Sequence, residues 1–449
     1  MRIVIVGGGF SGAVVAVELL RTLQPGHSIV IYEPTDEIGR GIAYAKGPEH
    51  HLLNVPAHML SVPPDDEGHF RDWVLARFAQ SSRLRESDGA YFFPRTWFGT
   101  YVHERYLEAV SANPGVIVTH IREPAVSISQ VGSALMVRAA SGVRAFEKVV
   151  LAIGSSPSAP FESPGRIEGT GPTVAQSGWA FDATSIHKNS HVAIVGGGLT
   201  MADVVADLEA SGHTGMITCI SRNGRRPHVA IGIRPDFVPA QSPPESLSAR
   251  QLVALVREWA AEATLQGLDW RSCIDHVRRS MLELWRALQP CERRRLRRHA
   301  RSLWDAHRYL MPPAAHHRIE ALIRSGRFEH LKGRVLSITA TGLRIETPDG
   351  QRIVHADVII NASGFDSSYS TALAPLRDLL SVAQVDLAAA KRDGLAVDDQ
   401  GRLLGGNQDV WGKLYALGFL ARANHGDLAT VNAIKAVAAG IAAAIRDGG

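Results

Sequence analysis

Three glycines followed by an acid are the residues in this chain best suited to hold a ligand. Gly7, Gly9 and Gly12 form a G-x-G-x-x-G run, and Glu33 follows at the distance where a carboxylate takes ribose hydroxyls. Gly7 permits a tight turn, Gly9 lets a pyrophosphate approach the backbone, and Gly12 lets the next helix pack close. Phe10 and Ser11 lie between these glycines, just before that helix, at the end where phosphate is favoured. The chemistry is recognition of a dinucleotide with a free adenosine ribose, FAD or NAD. A second run, Gly196-Gly-Gly198-Leu199-Thr200-Met201, has Met201 in place of the third glycine. The strand after it ends in Ser221-Arg222 instead of an acid. A cation there favours a 2′-phosphate, hence NADPH over NADH, with Arg222 the best-placed candidate. A solvated basic loop is the competing reading.

Each loop is framed by elements that can position it. Ile3–Val6 is a β-branched run of the kind found in buried parallel strands; Ala13–Leu20 reads as a helix and Ser28–Tyr32 as a second strand. The order recurs as His191–Val195, Ala202–Glu209 and Met216–Ile220. Another pattern also appears twice. Val116–Thr119, Ala125–Ser129, Ala134–Ala139 and Ala145–Leu151 read as strands that end at Gly154, and Arg334–Ile338, Gly342–Thr347 and Ile353–Ile360 end at Gly364. A repeated meander closed by an apolar strand and a glycine suggests two related halves. Ser246–Phe328 reads as a long helical region. Leu414–Phe419 is a last strand, ending at Gly418, and Asp427–Ile445 a small-residue helix with Asp427 as N-cap.

Further candidates lie between these elements. Ile38–Tyr44 is a glycine-rich loop whose Arg40 and Gly41 can lie along a nucleotide. Asn54 is polar in an apolar setting; it either satisfies backbone groups or bonds a flavin edge. Tyr91–Tyr101 is dense in aromatics around Arg95, building core or walling a ring-binding cleft, and leads into a helix over His103–Ser111. Glu292–Arg301 is the most basic run, read as a solvated helix face or one lining an anionic cofactor. His307 and Arg308 can face the cleft, although a lone histidine is more often structural.

Bulk properties exclude several classes. A chain of 449 residues exceeds what one core usually holds, so two or three domains are expected. With 45% hydrophobic and 20% charged residues it has the composition of a soluble globular protein, and a net charge of +4 implies no nucleic-acid partner. Cys219, Cys273 and Cys291 are scattered without a CxxC, which argues against a disulfide framework, a zinc site or a redox dithiol. No metal site is expected, and a reducing cytoplasm is the expected location. Glycines and Glu18 interrupt the N-terminal apolar stretch, so it does not read as a signal peptide. No run of about 18 apolar residues points to a membrane.

The stretches VGGGFSGA (Val6–Ala13), GRGIAY (Gly39–Tyr44), LNVPA (Leu53–Ala57), PRTWFGTY (Pro94–Tyr101), IVGGGLTMADV (Ile194–Val204), WDAHRYLMPP (Trp304–Pro313) and INASGF (Ile360–Phe365) cover nearly the whole chain in order. Together they resemble the FAD/NAD(P)-binding family of flavoproteins with two dinucleotide-binding domains, related to class B (N-hydroxylating, FMO-like) flavin monooxygenases. The resemblance implies an α/β fold with two Rossmann-like domains and a helical insertion. Residues 1–158 and 331–449 would form the FAD-binding domain, and 159–330 the NAD(P)H-binding domain with its insertion at about 246–328. It implies FAD contacts from Gly7, Gly9, Gly12 and Glu33; Phe10, Ser11, Arg40, Gly41, Asn54, Gly364 and Gly418 are the further residues expected around FAD. NADPH contacts would come from Gly196, Gly198, Leu199, Thr200 and Arg222.

The resemblance further implies an FAD- and NADPH-dependent monooxygenase, in which a flavin C4a-hydroperoxide transfers oxygen to a small-molecule substrate. The alternatives are an NADPH-dependent reductase or dehydrogenase, and a non-catalytic FAD-binding redox-sensing protein. The reductase branch carries a CxxC beside the flavin, and none is present. Gln176-Ser-Gly-Trp179 supplies the aromatic of the monooxygenase fingerprint without its histidine. That argues against Baeyer–Villiger chemistry and leaves N-hydroxylation or another oxygen transfer open. No acid–base side chain is compulsory. Asn54, Arg95 and His307 are the catalytic candidates, Asn54 first as a flavin-edge residue.

Overall fold

The computed structural model describes residues 1–63, 66–81, 86–87, 89–155, 171–179, 181–364, 369–405, 410–421 and 430–448. Its first sheet grows from the apolar strand Arg2–Val6, whose four last residues are buried. That strand pairs in parallel with Ser28–Tyr32 on one side and Lys148–Leu151 on the other. Ile117–Ile121 extends one edge, and Val410–Ala416 the other, both in parallel; Arg402–Leu404 closes the sheet antiparallel. The helices Phe10–Thr22, Arg95–Ala112 and Val431–Asp447 share one core with this sheet. The long C-terminal helix Val431–Asp447 packs on the first helix, Phe10–Thr22, so the two ends of the chain share one core.

The second sheet repeats the plan. Its order is Thr173–Ala175, Val358–Asn361, Val192–Val195, Ile217–Ser221, Phe328–Lys332, every pair parallel. Each unit carries its own three-stranded antiparallel meander: Ser127–Phe146 in the first and Arg334–His355 in the second. The unit boundary therefore differs from expectation. Val358–Asn361 lies beside Val192–Val195, so the second unit runs on through the second meander instead of ending near residue 330.

Of six helices between Ala249 and Arg324, the last, Pro313–Arg324, packs into the core of the second sheet, and the first five, up to Arg308, form the expected insertion. It contains a core of its own around Phe237, Leu247, Trp259, Cys273, Leu284 and Leu288. Phe328, read as the end of this region, instead opens a strand of the second sheet.

Two helices begin elsewhere than expected. The aromatic stretch enters a helix already at Arg95, which runs to Ala112 behind Pro94. Phe93, Phe98 and Tyr101 are fully buried there, and Phe98 packs against Phe10, Phe70 and Tyr44. That stretch is core. The last helix starts at Val431, with the Thr430 hydroxyl accepting from the Ala433 amide at 3.1 Å; Asp427 and Phe365 lie outside the described residues. Among the described residues no helix is long and apolar enough to cross a membrane.

Candidate functional site

The two glycine loops superpose feature for feature. Gly7 and Gly196 both turn through the left-handed region, at φ 100° and 116°, which an L side chain resists. Their amides donate to a carbonyl at the end of the neighbouring strand, Gly7 to that of Tyr32 at 2.9 Å and Gly196 to that of Ile220, one residue before the end, at 2.8 Å. In each case the chain after the third apolar strand crowds the turn. A Cβ on Gly7 would stand 2.6 Å from the Ala152 carbonyl oxygen, and one on Gly196 2.1 Å from that of Ala362. The following helices, Phe10–Thr22 and Leu199–Ala210, lack side-chain caps and present bare N-terminal amides.

Both loops open into one cleft of about 3090 Å³. A drug-sized ligand fills about 300–1,000 Å³, so this space suits two dinucleotides and a further molecule. Every residue expected at the site lines the cleft except Gly12. Gly12 is packing: its Cβ would fall 1.9 Å from the Gly7 carbonyl oxygen. Gly418 closes over Ser11, where a Cβ would meet the hydroxyl at 2.8 Å. Gly364, expected at the first site, follows the strand that walls the Gly196 turn; Gly154 has the matching place beside Gly7 and was not singled out.

The polar side chains differ in availability. The Glu33 carboxylate accepts from the Gly8 amide at 2.9 Å and from the Thr35 amide and hydroxyl at 3.0 and 2.9 Å, which fixes its direction. Arg40 is spent on structure. It pairs with Glu37 and donates to the Thr96 carbonyl and the Thr100 hydroxyl at 3.2 and 3.0 Å. Pairing with Lys46, and then with Arg40, lowers the Glu37 carboxyl to about 2 against its burial. Phe10 turns its ring into the core and offers only backbone. The Asn54 amide and the Arg222 guanidinium have no hydrogen-bond partner among the described residues, and both face the cleft.

Arg95 and His307 are not free groups. Arg95 reaches from the first unit to Asp203 of the second at 2.8 Å, and its guanidinium stacks on Trp179. The approach is off line for a hydrogen bond, so Arg95 Nη1 and Asp203 Oδ2 stay buried without one. Burial raises the Asp203 carboxyl, with Arg95 opposing. One turn later on the same helix, Asp207 accepts from His50 and His51 of the first unit, at 2.6 and 2.9 Å. His307 Nδ1 donates to the Leu303 carbonyl at 2.8 Å, and the ring packs against His228 and Trp270.

Sequence reasoning missed His330. Its Nε2 lies 2.8 Å from the Ser221 hydroxyl, directly behind the second loop, where a Cβ on Gly197 would approach it to 3.1 Å. In the first loop that place belongs to Glu33, which a Cβ on Gly8 would meet at 2.6 Å. Burial, and then Arg226, push the His330 imidazole down to about 4, so it is neutral. The Asp203 and Asp207 links were also missed; their only signal was two acids spaced four apart on one helix face. The three cysteines stand away from the cleft. Cys219 and Cys273 are buried, which pushes their thiols up to about 12 and about 11, and Cys291 is exposed elsewhere.

Residues 4–156 match the family model described as FAD-NAD(P)-binding. That makes the first unit an FAD/NAD(P)-binding domain, as its motifs imply. No curated protein sequence matches the chain. Among solved structures, the reduced form of an ornithine hydroxylase from Pseudomonas aeruginosa is 17% identical and covers 99% of this chain and 98% of its own, with a TM-score of 0.63. An ornithine N-hydroxylase from Kutzneria sp. 744, solved with reduced FAD, NADP+ and L-ornithine, is 15% identical over 100% and 99%, at 0.60. A bacillithiol disulfide reductase from Bacillus cereus is 14% identical over 100% of both chains, at 0.56. The chain thus has the complete fold of two-domain flavoproteins.

Proposed function

We infer that the protein is an FAD- and NADPH-dependent oxidoreductase, and that it acts as a monooxygenase on a small molecule. The observation that carries the reading is the single cleft joining two phosphate-type loops of opposite electrostatic character. The residues fit the cofactors. The amides of Gly9 to Ser11 would hold a pyrophosphate, and Glu33 the ribose beside it. The backbones of Gly9 and Gly41 pack closely there, since a Cβ on Gly9 would meet Gly41 Cα at 3.3 Å. Asn54 offers both donor and acceptor to a ring edge. At the second loop the amides of Leu199 and Thr200 and the free guanidinium of Arg222 would hold NADPH by its phosphates.

When bound, FAD supplies hydride acceptance from NADPH and transfer of one atom of dioxygen to the substrate. The chain's part is to orient and to exclude water. Its insertion roofs the cleft with Val256, Leu284, Trp285 and Trp304, and adds Arg297 and Arg301, which suit an anionic group on substrate or cofactor. With no thiol in the cleft, the chain has no dithiol relay to offer a disulfide. This favours oxygen transfer over disulfide reduction, in line with the hydroxylases that share the fold. The test is anaerobic reduction of the purified flavoprotein, followed by oxygen. NADPH is expected to bleach the flavin at least 10-fold more efficiently than NADH. Reoxidation is expected to form hydroxylated product in a screen of small amines and acids. Failure of NADPH to bleach the flavin, or peroxide as the sole product across the screen, would sink the proposal.

A further inference from the structure

His50, His51 and Asp207 bring three donor atoms to within 4.8 Å of one another. Both Nε2 atoms face the same carboxylate oxygen, Asp207 Oδ1, and none of the three side chains has another hydrogen-bond partner among the described residues. The three groups are therefore partnered only with one another among the described residues. They are also preorganised. The Arg95 amide donates to the His51 carbonyl at 2.9 Å, the Leu53 amide donates to the Phe93 carbonyl at 2.9 Å, and Asp207 sits within a helix. The side chains are 13–20% exposed and line the cleft, so the group is sheltered but reachable.

We propose that these three residues form a divalent metal site of the zinc class. Two imidazoles and one carboxylate are the ligands of three-coordinate protein sites that leave a fourth position for water. Imidazole suits Zn²⁺ and its first-row neighbours, while Mg²⁺ and Ca²⁺ prefer oxygen-only sets. An ion moves the ligands from hydrogen-bond contact to about 2.0–2.2 Å from itself. The site has a consequence for the molecule because its ligands come from both units. His50 and His51 precede the Asn54 stretch of the first cofactor region, and Asp207 lies on the helix that follows the second glycine loop. A bound ion ties the two units together one helical turn from the Arg95–Asp203 pair.

The experiment is equilibrium dialysis of the chelator-treated flavoprotein against Zn²⁺, with thermal unfolding measured in parallel. One tight equivalent per chain is expected, together with a midpoint that rises with Zn²⁺. His51→Ala and the near-isosteric Asp207→Asn are each expected to lose at least 10-fold in affinity and the thermal response. Retained flavin and far-UV spectra check that both variants fold. Two control variants, Cys291→Ser and His316→Ala, are expected to keep both effects. The proposal is overturned if the wild type binds Zn²⁺ no tighter than about 1 mM. It is also overturned if Asp207→Asn binds as well as the wild type, or if a control variant loses the ion.

Discussion

The two nucleotide loops share a backbone and differ in what stands behind it. In the first, the place behind the middle glycine holds the Glu33 carboxylate, aimed by the Gly8 amide. In the second it holds a neutral His330 against Ser221, with Arg222 exposed and unpaired beyond. Replacing an anion by a neutral ring removes the repulsion a 2′-phosphate would otherwise meet. The difference also extends to packing. Gly12 in the first loop allows the helix to lie almost on the turn, while fully buried Met201 fills the corresponding space in the second. The same fold thus gives one tight loop backed by a carboxylate and one looser loop backed by a neutral imidazole.

The largest way to break this comparison is Gly12→Ala. Its methyl has no room beside the Gly7 carbonyl, so a loss above about 4 kcal/mol is expected, with little flavin retained on purification. Retained flavin and an unchanged unfolding midpoint would show that the close approach is dispensable.

Next is pH. Unfolded, His330 takes up its proton near the ordinary 6.5; folded, it does so only near 4. Native stability is therefore lost as pH falls from 6.5 to 4, by up to about 3 kcal/mol, and no further below that. His330→Asn is expected to flatten that part of a plot of unfolding midpoint against pH. A third variant, Arg222→Ala, is expected to raise KM for NADPH by roughly 10- to 100-fold and to leave NADH nearly unchanged. An equal effect on both coenzymes would remove Arg222 from phosphate recognition. The smallest effect belongs to Gly198→Ala. A Cβ there meets nothing within 4 Å, so a stability change under about 0.5 kcal/mol is expected by chemical denaturation, unlike Gly12→Ala.

Elements with self-contained patterns were legible. Ser28–Tyr32, Ala134–Ala139 and Gly342–Thr347 fall where their alternation or apolar runs put them. Phe328–Lys332 was not legible, because only Phe328 and Leu331 are apolar in it; it is a strand by virtue of pairing with Ile217–Ser221. The boundary near residue 330 failed for a related reason. The repeated meander already indicated that each half owns one, and Val358–Asn361 belongs with the second copy. At the site, the turn geometry of both glycine loops could be read locally. The His50–Asp207 and Arg95–Asp203 links join residues more than a hundred positions apart, and no local spacing encodes them. The carboxylate partners of Arg40 and Arg95 were not legible either: Glu37 lies in the same loop as Arg40, but Asp203 lies in the other unit from Arg95.

The separate core of the insertion bears on how such a protein changes over time. Because Trp259, Leu284 and their neighbours pack on each other, substitutions among them are energetically independent of both sheets. The roof of the cleft can drift, be exchanged between homologues or be redesigned while the cofactor loops keep their geometry. Selection acting on that roof then meets little resistance from the loops beneath it.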